Sequence, residues 1–267
     1  MKPYFSLLRV RFLNGLQYRL AAFSGMTTQV AWGLMLVFIY SAFFGDAAVS
    51  DGFTFKQLVT FVWLQQAALT LIFIYDYDGE LLEMITTGGI GYELCRPVNI
   101  YYVWYAKLVS KRTATACLRF FPVIIVAFLI PYPFRLSLPY SPLAFCLFVV
   151  TLFIGLLLVV SINMMVYISN FKTLSPGGSI AFISIIGEFF GGQTIPIPLM
   201  PGWLQEVSAF LPFRWVADLP FRVYSGHIGT KEALTGLAMQ LIWLTILISA
   251  GMLIMRRVAR LSMVQGG

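Results

Sequence analysis

Charge is what this sequence has least of. Asp, Glu, Lys and Arg make up 11% of its 267 residues, whereas 59% are apolar; soluble domains carry roughly a quarter charged residues. So few ionic side chains cannot cover a water-facing surface, which excludes a soluble globule and implies an integral membrane protein. Histidine occurs once, and the cysteines Cys95, Cys117 and Cys146 show no zinc or redox spacing and read as inert apolar filler. No Gly-x4-Gly-Lys-Ser/Thr stretch is present, so the chain itself is expected to bind no nucleotide, and neither a cofactor nor a metal is expected on it. There is no internal repeat and no low-complexity linker, so residues 1–267 are expected to form one transmembrane domain. A basic stripe interleaved with aromatics is also missing, which removes nucleic acid as a partner.

What is present is a series of unbroken apolar runs rather than the alternation of a membrane β-barrel. A window of roughly 20 residues, enough to cross a bilayer core, places spans at about 23–44, 57–75, 116–134, 143–167, 180–195 and 234–255. The fold class is therefore all-α with six crossings. The first run is long enough to span and follows a basic segment, so it is read as a retained helix and not a cleaved signal. With the N-terminus inside, thirteen of the eighteen Lys and Arg residues fall on the cytoplasmic side and only Lys56, Arg135, Arg214, Arg222 and Lys231 outside. That bias puts both termini in the cytoplasm, and the net charge of +7 suits anionic inner-leaflet lipid.

Two loops are long. In the cytoplasmic one, "GELLEMITTGGIGYELCRPVN", Leu81, Leu82 and Ile85 share one side of a short helix with Glu80 and Glu83 on the other, and Gly88, Gly89 and Gly91 stop it. Pro97 drives Arg96 out of helical geometry before an aromatic-rich approach to the third span. "GGIGYE" puts a carboxylate where a phosphate cradle needs a cation, so a docking surface for a soluble partner is expected, with an interfacial lipid helix as the alternative. The outer segment, "GGQTIPIPLMPGWLQEVSAFLPFRWVADLPFRVYSGHIG", opens with Pro196, Pro198 and Pro201, which forbid regular helix. Two amphipathic helices should follow, the second carrying Arg214, Asp218 and Arg222 four apart.

Two intramembrane charges also stand out. Arg119 can snorkel, whereas Glu188 has too short a side chain and should face the protein interior or a cavity. Glu188 lies within Gly187-x3-Gly191, a spacing that serves intrachain packing as readily as dimerisation.

The stretch "GGIGYELCRPVN" resembles the coupling loop of permease subunits of type-2 ABC exporters, in the small six-span family. The outer stretch resembles that family's external hairpin, with its Pro-x-Pro-x-x-Pro opening, mid-loop "LPF" and closing aliphatic-Tyr-x-Gly. The resemblance covers essentially the whole chain. It implies an exporter subunit in a bacterial-type plasma membrane, paired with a second permease subunit, either itself or a sister chain. A separate ABC ATPase subunit would hold ATP and Mg, leaving this chain non-catalytic. Residues 79–96, with Glu80, Leu81, Leu82, Glu83, Ile85, Gly88, Gly89, Arg96 and Pro97, would be the coupling element, and residues 1–20 an interfacial connecting helix. Glu188, Gly191, Pro196, Pro198, Pro201, Arg214, Asp218 and Arg222 would line an outer gate or translocation path. Two rivals are an ion-coupled secondary transporter, which would show broken helices at matching places in both halves, and a serine hydrolase pairing Ser179 with His227. The predicted topology puts Ser179 and His227 a bilayer apart.

Overall fold

The computed structural model describes residues 2–17, 19–44, 49–50, 52–94, 97–173 and 176–265. Apart from a small hairpin pairing β1 (Val49–Ser50) with β2 (Phe53–Thr54), the regular elements described are helical. They run α1 (Lys2–Gly15), α2 (Arg19–Phe44), α3 (Phe55–Ala67), α4 (Leu69–Ile72), α5 (Gly79–Thr86), α6 (Ile90–Leu94), α7 (Ile100–Leu129) and α8 (Pro142–Thr173). After them come α9 (Pro176–Phe190), a 3-10 turn (Ile197–Leu199), α10 (Gly202–Ala209), α11 (Arg214–Ser225) and α12 (Thr230–Gln265). Among the described residues, four helices are long and apolar enough to cross a bilayer: Ala22–Phe44, Ile100–Leu129, Pro142–Phe171 and Thr230–Val258. Large apolar side chains such as Phe121, Leu129, Phe182 and Ile185 face outward, an arrangement that water would penalise and hydrocarbon does not.

The axis of the bundle is α8, against which α7, α9, α11, α12 and the short α4 and α5 all pack. At Gly155 a β-carbon would stand 2.5 Å from the Val216 carbonyl oxygen, so the close approach of α11 requires glycine there. The buried Gln240 of α12 donates to the carbonyls of Thr151 (2.9 Å) and Trp215 (2.6 Å), which stitches α12 to α8 and α11.

The two remaining expected spans are interrupted. The run at 57–75 is α3 and α4 separated at Ala68, followed by non-helical chain from Phe73 to Asp78. Those freed backbone groups are satisfied by side chains from α7 and α8. Arg112, 1% exposed, donates to the carbonyls of Thr70 (3.2 Å) and Asp76 (2.9 Å). Asn163 donates to the same Asp76 carbonyl (3.1 Å), and the Tyr167 hydroxyl accepts the Asp78 amide. The run at 180–195 ends early: α9 has 15 residues, ~22 Å at 1.5 Å per residue, short of a core about 30 Å thick.

The chain then turns at Gly191–Gln193 and lodges against the first break. Gln193 donates to the Ile72 carbonyl (3.1 Å), while Gln65 of α3 donates to the Gln193 carbonyl (2.5 Å). From this depth α11 climbs along α8. Its Val216 sits beside Gly155, ~20 Å along α8 from Pro142, and its far end meets the start of α8, where the Tyr140 amide bonds the Tyr224 carbonyl (3.1 Å). The segment expected as an outer hairpin is thus sunk into the bundle. Its proline-rich backbone is covered, as irregular chain at that depth must be: Pro196, Ile197 and Pro198 are buried, and Gln205 donates to the carbonyls of Pro198 and Met200.

Arg112→Leu leaves the Thr70 carbonyl with no donor from Arg112 and should destabilise the fold by about 3 kcal/mol or more, with Arg112→Lys between it and the wild type. Thermal unfolding in detergent measures this, and an unchanged midpoint in the Leu variant would refute the capping role.

Candidate functional site

The loop read as a coupling element begins with a defined cap. Asp78 accepts the Leu81 amide (3.2 Å) at the start of α5, and Gly88 at its end adopts φ 78°, the left-handed conformation that terminates helices. Leu81 and Ile85 are buried in this chain's own core, so they anchor α5 and do not project as a free knob; Leu82 is half-buried. The outward face is Glu80, Glu83, Thr86, Thr87 and Gly88. The chain continues into α6, whose Glu93 accepts the Trp104 indole N–H (2.7 Å), and Asn99 then caps α7. Gly89 is half-buried and Pro97 exposed, while Arg96 and Cys95 lie outside the described residues.

Sequence reasoning missed the ionic cluster beneath this helix. Glu80 receives Arg11 of α1 through both guanidinium nitrogens (3.1 and 3.2 Å) and Lys107 of α7 at 2.7 Å. Lys107 is almost fully buried and reaches Asp78 at 3.9 Å, and one turn on Lys111 pairs with Asp76 (3.2 Å) and the Tyr77 carbonyl (3.0 Å). Lys107 and then Arg11 hold the Glu80 carboxyl below its usual range. Three helices distant in sequence therefore meet at one carboxylate. The available signals were Asp78 directly before Gly79 and the four-residue spacing of Lys107 and Lys111.

At the opposite end, α11 presents Arg214, Asp218 and Arg222 on one face, and this ladder is not a solvated one. Asp218 is 1% exposed, and its Oδ2 lies 3.5 Å from Arg214 and 3.2 Å from Arg222. Arg214 also donates to the Gln205 carbonyl (3.3 Å) and lies 5.5 Å from the Trp215 ring. Glu188 is half-buried near the end of α9, with the Tyr75 backbone as hydrogen-bonding partner. Gly187 and Gly191 face Ile74 and Phe213, so their spacing serves packing within the chain. Pro201 is exposed at the start of α10. Arg119 rests against Gly25 of α2. The structure does not bring Ser179 and His227 together: Ser179 donates to Asn170 near the end of α8, and His227 packs edge-on against Phe53 at 4.6 Å.

A bundle of long apolar helices, with a charged, capped helix at one end and a broken segment sunk into the other, defines a multi-pass membrane protein. Residues 30–262 match the ABC-2 family transporter proteins, and the chain belongs to that family as a permease component of an ABC transporter. Membrane components of this family are generally non-catalytic. No curated protein matches the chain.

Burial first, and the Arg222 charge second, push the His227 pKa down to about 4 from an ordinary 6.5. The folded protein thus binds fewer protons at this site than the unfolded chain, so stability drawn from neutral His227 is complete above pH 6.5 and is lost as pH falls toward 4. The advantage in thermal midpoint of wild type over His227→Gln should accordingly shrink across that window. A constant difference would show that His227 does not titrate as its surroundings dictate.

Proposed function

We propose that this chain is the membrane subunit of an ATP-driven exporter in a bacterial-type plasma membrane, moving an amphipathic or hydrophobic substrate. It crosses the bilayer six times with both termini in the cytoplasm: α2, the α3–α4 pair, α7, α8, the α9–α11 pair and α12. It works as a homodimer or with a sister chain, and a separate ATPase subunit carries ATP and Mg, so this chain holds no cofactor of its own. The family match supports the ATPase partnership.

The observation that carries the coupling reading is the Glu80 cluster. A soluble motor pressing on the exposed Glu83–Gly88 surface would move α5 together with α1 and α7, because Arg11 and Lys107 tie all three at one carboxylate. The push would reach the Phe73–Asp78 break, and from there the turn at Gln193 that hangs on Ile72. In this reading Glu188, Gly191 and the proline-rich turn before α10 line the path, and the Arg214–Asp218–Arg222 ladder forms the outer gate. An ion-coupled transporter gains one observation, since the second and fifth crossings are both interrupted. Membership of an ABC family weighs against it by assigning the energy source to a partner.

Glu83→Arg combined with Thr87→Arg should leave the permease inserted but weaken ATPase binding about tenfold or more, as removal of an interface hot spot does. Co-purification of a full complement of ATPase with the double variant would eliminate α5 as the contact. In cysteine-accessibility labelling, a cysteine at Gly89 should react only from the cytoplasm and one at Gly226 only from outside; labelling of Gly226 from inside would end the six-crossing topology.

A further inference from the structure

Between α11 and the first turns of α12, beside the ladder read as the outer gate, lies a cavity of about 520 Å³. Its walls carry three cations, Arg214, Arg222 and Lys231, against two carboxylates, Asp218 and Glu232. Asp218 is spent on both arginines through a single oxygen, while Lys231 is exposed and has no ion-pair partner among the described residues. A net positive charge remains. Two buried donors of residues lining this cavity, Arg222 Nε and Trp215 Nε1, lack hydrogen-bond partners, as does the acceptor Asp218 Oδ1. Orphaned donors beside uncompensated positive charge call for an acceptor.

Depth identifies the kind of acceptor. Lys231 and Glu232 open the last long apolar helix, and Leu219 lies against Gly236, ~9 Å further along it. The cavity therefore runs from the polar interface of the bilayer into the top of the hydrocarbon, a layer that the interfacial regions and first methylenes of a lipid occupy. Lys231, Arg222 and Ile228 lie at its upper end, and Leu219 and Trp215 lie deeper along α11. A volume of this size is ordinary for a small-molecule site.

We propose that this cavity binds the phosphate-bearing headgroup of an anionic phospholipid, with Lys231 and Arg222 facing the phosphate and Leu219 and Trp215 the start of the acyl chains. Only the assignment to the outer leaflet rests on the topology proposed above; the site itself does not. An occupied site would fasten α11 to α12, so the lipid would act on the segment read as the outer gate.

The test titrates the full purified chain in detergent with dihexanoylphosphatidylglycerol, dihexanoylphosphatidylcholine and inorganic phosphate, following tryptophan fluorescence with Trp215→Phe as the spectroscopic reference. Arg222→Gln strands buried Asp218 and risks misfolding, so the charge variant is Lys231→Glu, with Lys56→Glu as a control on an exposed residue outside the cavity. Phosphatidylglycerol should give a saturable change that is lost in Trp215→Phe, and its affinity should fall about fivefold or more in Lys231→Glu, the worth of one cation at a membrane surface. The Lys56→Glu affinity should match wild type. The site is overturned if no probe gives a saturable response, if phosphatidylcholine binds as tightly as phosphatidylglycerol, or if Lys56→Glu is as harmful as Lys231→Glu. Inorganic phosphate binding as tightly as the lipid would overturn the lipid assignment in favour of a soluble anion. Because binding is read in detergent without ATPase, its failure is distinct from failure of the topology or coupling readings, which the labelling and co-purification experiments address.

Discussion

Everything in this bundle depends on how one fully buried guanidinium meets a stretch of chain that is not helical. Between α4 and α5 the backbone runs without its own ladder of hydrogen bonds, and hydrocarbon offers no water to replace them. Arg112 donates to Asp76 within that stretch and to Thr70 in α4 just before it, and Asn163 donates to the same Asp76 carbonyl. Those contacts fix the height at which α5 leaves the bundle, and hence the place where Glu80 can meet both Arg11 and Lys107. They also hold the Ile72 carbonyl in position for Gln193, so the second interruption is registered against the first. A single polar seam joins one end of the molecule to its middle.

Much of this was legible in the sequence, for identifiable reasons. Length and hydropathy sufficed for α2, α7, α8 and α12, because a crossing helix must be apolar over some twenty residues. The glycine after α5 ends that helix where the residues place the stop, whereas α9 ends at Phe190 ahead of Gly191 and Gly192, short of the expected 195 and before any proline is reached. The break at Ala68 left no such trace. Nothing in "LQQAALTLIF" forbids helix, and the donors that satisfy the chain beyond Ala68, from Arg112, Asn163 and Gln193, are remote in sequence.

The site was legible in outline and not in orientation. Periodicity put Leu81, Leu82 and Ile85 on one face but could not say whether that face meets a partner or the chain's own core; Leu81 and Ile85 meet the core. Arg112 and Lys107 read as ordinary cytoplasmic cations in a charge census, because their carbonyl and carboxylate partners are remote in sequence. The Arg214–Asp218–Arg222 spacing was visible, whereas the burial of Asp218 follows from how deeply α11 sits beside α8.

The meeting of α9 and α11 has an electrostatic side. Each helix end carries roughly half an elementary charge, negative where α9 stops and positive where α11 starts. Gly191 lies against Phe213, the residue that precedes α11, so the two opposite partial charges are neighbours. Both helices rise in the same sense along α8, and their axial fields add head to tail. To a charge passing nearby, the interrupted segment behaves as one continuous helix with its poles at the two outer ends and little net polarity at the gap. Two half-helices meeting with like ends would have concentrated a full unit of charge at that depth and held an ion there.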